Sequence, residues 1–229
     1  MEETPIVSTA RPSNAALIIG IVIAFIFPSV LSLMLSNSAL SINNKLFFSR
    51  FIFWAEVGFL WLYAVKVEKQ NLLIWAEKQS GLKFILGAMV ILYSLSLASQ
   101  IVATIPSWLG WHESNAIMKQ IVAVVRHRPF LILFISFTAG VTEEIIFRGY
   151  ILTRLSQLFS NKYIPVIISS FLFSALHYKY HSPRELIFTF LIGVIFSIHY
   201  QKHGNIKPLI VVHILIDVFG LFIGARFFK

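Results

Sequence analysis

Seven apolar stretches, roughly residues 15–35, 47–65, 82–105, 130–155, 163–178, 185–200 and 206–226, take up most of this chain. A helix needs about 20 mostly apolar residues to cross the hydrocarbon of a bilayer. In lipid, a backbone that satisfies its own N–H and C=O groups is a helix or a closed barrel. All seven stretches are expected to be helices, so the fold class is all-α: a polytopic transmembrane bundle of about seven helices, seven to eight. Composition agrees, with 57% hydrophobic and 13% charged among 229 residues, against about 45–50% and about 25% in soluble domains. A separate soluble domain has no room, and residues 1–229 are read as a single integral membrane domain. The first stretch is long, lacks a basic start and a small-residue cleavage site, and is expected to stay as a span rather than be removed as a signal peptide.

The connections carry less information. Between the third and fourth stretches lie Pro106, Trp108, Gly110, Trp111 and then Arg126, His127 and Arg128, the composition of an interfacial segment along the membrane surface. The fifth and sixth stretches are short, with Ser182 and Pro183 between them. One or both are therefore expected to be tilted or partly spanning, which leaves room for an eighth half-helix. Loop Lys and Arg balance on the two sides, with Arg50 and Arg154 counted among them, so the positive-inside rule gives no orientation. The net charge of +9 is scattered and forms no basic stripe, which points to lipid headgroups and away from nucleic acid. The absence of cysteine excludes disulfides, thiolate metal sites and a cysteine nucleophile.

Four of the ten acidic residues, Glu56, Glu143, Glu144 and Asp217, fall inside apolar runs. A charge at the centre of an inserted helix costs about 2.5–3.5 kcal/mol, so Glu143, Glu144 and Arg148 require partners or a hydrated cavity. Residues four apart share a helix face, whereas adjacent ones are turned by about 100°. Glu144 and Arg148 can therefore pair, while Glu143 faces elsewhere and is the acid left free for chemistry. His177 follows Phe173 by one turn, and Asp217 follows His213 by one turn. Three helices thus each offer polar groups. A carboxylate and a histidine can polarise a water, and a second histidine can stabilise the oxyanion of a tetrahedral intermediate.

The ordered set Glu143-Glu144-Ile-Ile-Phe-Arg148, Phe173-x-x-x-His177 and His213-x-x-x-Asp217 resembles the three signatures of the CPBP family. That family contains type II CAAX prenyl endopeptidases, Abi proteins and bacteriocin self-immunity proteins. The resemblance covers about residues 130–220, which it marks as a protease core. It implies an intramembrane endopeptidase in which Glu143 and His177 activate water, His213 and Asp217 lie near the oxyanion, and Glu144 and Arg148 hold the site together. Phe173 is read as a wall of the substrate pocket. Characterised CAAX proteases often carry asparagine where this chain has Asp217. An ionised aspartate repels an oxyanion, so Asp217 must be protonated, bridged through His213 or used differently.

The implied substrate is a peptide or a lipidated protein tail, the implied partner a lipid membrane, and the implied location a multi-pass position in a membrane, the cell membrane for a bacterial chain. No cofactor is favoured. Zinc is the alternative, with Glu143, His177 and His213 as ligands, although His112-Glu113 lacks the second histidine of a two-histidine helix motif. The competing function is a non-catalytic immunity or partner-binding protein of the same fold; a transporter lacks the paired broken helices. Glu56 is read as an interface-facing or internally paired acid outside the site. His199 and His203 are read as facing headgroups, and Phe171 as packing.

Overall fold

The computed structural model describes residues 11–227, and among them there is no strand. The helices run α1 (Asn14–Ser36), α2 (Ile42–Tyr63), α3 (Leu82–Ala103), α4 (Ile105–Trp108), α5 (Ala116–Val125), α6 (Pro129–Glu144), α7 (Thr153–Leu158), α8 (Tyr163–Ala175), α9 (Pro183–His203) and α10 (Lys207–Phe227). Helices α6 and α7 are one rod joined by a π-helical segment, Ile145–Leu152, and α2 ends in a π turn, Ala64–Glu68. Six helical rods are long and apolar enough to cross a membrane: Asn14–Leu35, Ile42–Glu68, Leu82–Trp108, Pro129–Leu158, Pro183–His203 and Lys207–Phe227. This is a multi-pass membrane protein built as a helical bundle.

The fifth apolar stretch is the exception. It folds as α8, 13 residues long, about 20 Å at 1.5 Å per residue and short of the roughly 30 Å of hydrocarbon. The stretch expected at the interface, 105–128, contains α4 and the ten-residue α5. Trp108, Leu109 and Trp111 are exposed around it, as suits side chains that sit at headgroup level.

Local chemistry sets the helix ends. The hydroxyls of Ser13, Ser41 and Ser182 accept from the backbone N–H groups of Ala16, Asn44 and Glu185, which satisfies donors that an N-terminus otherwise leaves orphaned. In Ser182-Pro183-Arg184-Glu185 the cap is followed by proline at the first helical position, where its missing N–H costs nothing.

Two glycines bring the helices of the site together. A Cβ on Gly140 of α6 would lie 2.6 Å from the side chain and 3.0 Å from the backbone nitrogen of Ile214 on α10. A Cβ on Gly193 of α9 would lie 2.8 Å from Ser170 on α8. Small residues let membrane helices approach this closely, where packing and not hydrophobic exclusion drives association. Further hydrogen bonds fix the register. Ser169 donates from its hydroxyl to the Phe147 carbonyl at 3.0 Å, which docks α8 on the π segment. Ser174 donates to the Leu186 carbonyl at 2.7 Å, which joins α8 to α9. Trp54 donates from Nε1 to Thr138 Oγ1 at 3.3 Å, which joins α2 to α6.

Several sequence readings are adjusted by the structure. Lys45 and Arg50 are not in a loop but on α2, which starts at Ile42. Arg154, counted among loop cations, is completely buried, because Glu68 pairs with it across the fold. His199 and His203, read as facing headgroups, are half-buried and share an aromatic contact. Their rings lie 4.6 Å apart and pack on Phe84 at 6.0 and 5.0 Å, because α3 runs alongside α9. Phe171 is exposed on the outer face of α8, so it meets lipid rather than packing within the bundle.

Candidate active site

Glu144 is the last residue of α6 before the backbone widens into the π segment. Widened turns of this kind are rare and occur often at functional sites. Arg148, one turn on, donates from Nη1 to Glu144 Oε1 at 3.0 Å, and both side chains are buried. The same Oε1 lies 2.7 Å from Nδ1 of His213 on α10. A carboxylate accepts, so His213 Nδ1 carries the proton in this bond and Nε2 is turned into the site. There Nε2 stands 3.8 Å from Glu143 Oε2 and 3.8 Å from Asp217 Oδ2. Both gaps exceed a direct hydrogen bond, and a water seated beside them has both ends within reach.

His177 closes the second side. Its Nδ1 is 3.1 Å from the Phe173 carbonyl; a carbonyl can only accept, so Nδ1 donates and Nε2 is the free nitrogen. The ring meets Phe173 edge-on at 5.2 Å and stacks on Tyr180 at 5.8 Å. Among the described residues no carboxylate comes within 4.0 Å of His177. The expected partnership of Glu143 with His177 is therefore not a direct contact. His177 still lies close enough for its charge to act on Asp217, as do His213, Glu143 and Arg50.

Phe173 stands between these groups. It is buried, touches Phe147 and His213 with ring centres at 5.1 and 6.2 Å, and carries the Arg148 guanidinium over its face at 4.4 Å. Phe196 lies on another side of that guanidinium, 5.5 Å away. Cation–π contact of this kind holds a charge that hydrogen bonds leave partly unpaired. Among the described residues Arg148 Nε and Nη2 and Glu144 Oε2 have no hydrogen-bond partner.

Two residues on α2 belong to this neighbourhood and escaped the sequence reading. Glu56 is fully buried and, among the described residues, neither of its carboxyl oxygens has a partner; it lies close enough to feel the charge of Glu143. It is neither interface-facing nor paired, because α2 packs between α1 and α6 and turns this position inward. Arg50 stands near Glu143, Asp217 and the Tyr180 phenol. Burial, and after it the carboxylate of Glu185, push Tyr180 up to about 12, so its hydroxyl stays protonated and able to donate across physiological pH. The signal available in the sequence was Arg50 itself, a cation three residues into an apolar stretch.

Among the described residues no group of three or more His, Asp or Glu side chains is gathered closely enough to hold a metal ion. Glu143 and His213 approach one another and His177 does not join them, so this set does not fit tetrahedral zinc, whose bonds to nitrogen and oxygen run about 2.0–2.2 Å.

Residues 126–219 match the family model described as type II CAAX prenyl endopeptidase Rce1-like. No curated protein and no solved structure matches the chain. The matched segment contains Glu143, Glu144, Arg148, His177, His213 and Asp217 and excludes Arg50 and Glu56. Residues 126–219, the part of the chain that carries all three motifs, are thus similar to the Rce1-like type II CAAX prenyl endopeptidases.

Proposed function

We propose that this protein is an intramembrane endopeptidase that hydrolyses a peptide bond with a carboxylate-activated water, acting on lipidated or otherwise membrane-associated protein tails. The observation that carries this reading is the gap between Glu143 Oε2 and His213 Nε2, 3.8 Å wide, with Asp217 on its other side. A water in that gap gives a proton to Glu143 as its oxygen attacks the scissile carbonyl carbon. The carbonyl electron pair moves onto oxygen, which becomes the oxyanion. Collapse of this intermediate breaks the C–N bond, and Glu143 passes its proton to the departing amine.

The surrounding residues supply orientation and charge. Glu144 holds the His213 ring by its Nδ1–H, and Arg148 holds Glu144, so Nε2 stays aimed at the reacting centre. Tyr180 presents a protonated hydroxyl to the same space, a donor suited to an oxyanion, while His177, its proton on Nδ1, presents Nε2 as an acceptor that can orient the attacking water. A proton held on Asp217, or reaching it from His213 through a water since Nε2 and Oδ2 stand 3.8 Å apart, relieves the repulsion that an ionised aspartate would exert there.

Purified protein in detergent is expected to cleave a farnesylated peptide, with Glu143→Gln lowering kcat by about 10²–10⁴, the span of a general base. His177→Ala should reduce it as well. Thermal unfolding of both variants is expected to match the parent. Cleavage that survives both substitutions would overturn these assignments, and a cellular phenotype that survives both would favour the partner-binding alternative.

A further inference from the structure

We propose that Arg50 is a specificity residue that binds an anionic group of the substrate, the free α-carboxylate at the C-terminal end of the peptide. The inference rests on the endopeptidase reading and adds to it a residue from outside the family segment. Arg50 lies on α2, and Trp54, one turn later on the same face, is fastened to α6 through Thr138. That face delivers the guanidinium to a place where Glu143 of α6, Asp217 of α10 and Tyr180 beyond α8 all act on it. Three other elements thus place a charge or a phenol close to one cation.

The cation is left without an anion. Its Nε donates to Ser49 Oγ at 3.2 Å, and its guanidinium lies over the Phe53 ring at 5.1 Å. Among the described residues no carboxylate approaches it within the 4.0 Å of an ion pair. Arg148 and Arg154 each have such a partner, so among the described residues Arg50 keeps its charge-pairing capacity free where those two do not. A guanidinium is a planar fork that matches a carboxylate with two parallel hydrogen bonds. A site lined by Glu143 and Asp217 repels an anionic peptide end, and a free guanidinium at its edge offsets that repulsion for one end and one orientation of the chain. Orientation is what a peptidase needs from such a group, since it sets which bond meets the water.

A phospholipid phosphate offers similar chemistry, and a purely internal role as counter-charge to Glu143 and Asp217 is the other competitor. One farnesylated peptide, made with a C-terminal carboxylate and with a C-terminal amide, separates all three. The parent protein is expected to favour the acid over the amide by about 10- to 100-fold in kcat/KM, the worth of a charge-assisted pair. In Arg50→Gln that ratio should fall to about one, and in Arg50→Lys, which keeps the charge and loses the fork, to an intermediate value. A ratio unchanged by Arg50→Gln while both rates fall equally overturns the proposal in favour of the counter-charge role. A ratio that follows the anionic lipid content of the micelles, and not residue 50, overturns it in favour of the phosphate.

Binding of the same two peptides to Glu143→Gln, with and without Arg50→Gln, keeps this test independent of turnover. Acid-over-amide binding that disappears with Arg50 upholds the proposal even where no cleavage is seen and the hydrolase reading fails. Equal binding of the two ends overturns it even where cleavage is robust.

Discussion

Two arginines on the same rod, six residues apart, are both buried against a glutamate, and they are bonded in opposite ways. Arg154 spends every nitrogen: Nε and Nη2 bond Glu68 Oε2 at 3.0 and 2.8 Å, while Nη1 and Nη2 bond the carbonyls of Leu72 and Asn71 at 2.7 and 2.8 Å. The other oxygen of Glu68 accepts from the Tyr150 hydroxyl at 2.7 Å. Arg148 makes one hydrogen bond and leaves Nε and Nη2 without partners, as Glu144 leaves Oε2. A saturated buried pair has nothing left to give and locks helices together. An unsaturated one holds desolvated polarity in reserve, which a structural lock has no reason to retain. The first closes the end of the bundle where the chain turns after α2. The second stands in the site.

The largest effects should separate the two arginines along different axes. Arg154→Met strands Glu68 in the interior, and removing one member of a buried pair costs about 3–5 kcal/mol. Thermal unfolding in detergent should show that loss, with specific activity of the folded fraction close to the parent's. Arg148→Met is expected to behave the other way round. It removes a side chain that already left two donors unpaired, so stability should fall much less. Activity should collapse, because Glu144 no longer holds His213 in place. The distinction breaks down if Arg148→Met unfolds the protein as readily as Arg154→Met does, or if Arg154→Met abolishes turnover without lowering the melting temperature.

The two pairs also differed in how far they could be read from the sequence, for a physical reason. Glu144 and Arg148 are four apart on one helix, and helical geometry alone brings them into contact. The same holds for Phe173 with His177 and for His213 with Asp217. Glu68 and Arg154 are separated by 86 positions, and no local periodicity links them. Each sat at the edge of an apolar run, where a charge ordinarily reaches for headgroups. Arg50 and Glu56 were missed in the same way, because nothing in a single helix says which of its faces will meet another. The number of helices was nearly legible, since apolar length sets it. What apolar length did not show is that residues 163–178 form a 13-residue helix docked on the π segment through Ser169.

A smaller effect should follow from the contact that places His213 over Glu144. A methyl group at position 140 would meet Ile214, including its backbone nitrogen at 3.0 Å. Backbone cannot rotate away as a side chain does, so Gly140→Ala has to push α10 from α6. Overpacking of this kind costs about 1–3 kcal/mol. Ile214 follows His213 directly, and the displacement acts on the 2.7 Å bond to Glu144. Turnover is therefore expected to fall by more than the stability loss accounts for. Normal kinetics in a destabilised Gly140→Ala protein would show that the site tolerates movement of α10, and that the unsaturated pair is less finely placed than its bonding suggests.

The smallest expected effect asks whether the lock is the ion pair alone or the whole seam. One turn beyond Arg154, the side-chain amides of Gln157 and Gln70 exchange two hydrogen bonds at 3.0 and 3.1 Å, each donating to the other. They are part-buried, and neutral bonds of this sort contribute about 0.5–1.5 kcal/mol each. Gln157→Ala should lower unfolding stability by about 1 kcal/mol, since water can reach the freed amide of Gln70, and should leave catalysis alone. The backbone carbonyl of Gln157 keeps its bond from Arg11 in the variant. Paired with Arg154→Met in a double-mutant cycle, the two losses are expected to add if the seam is a row of independent contacts. A sum well below additive would mean that Glu68, Arg154 and the two glutamines close as one unit. Gln70 follows Glu68 by two residues on a backbone that turns through the left-handed Lys69, which gives that coupling a short and stiff route.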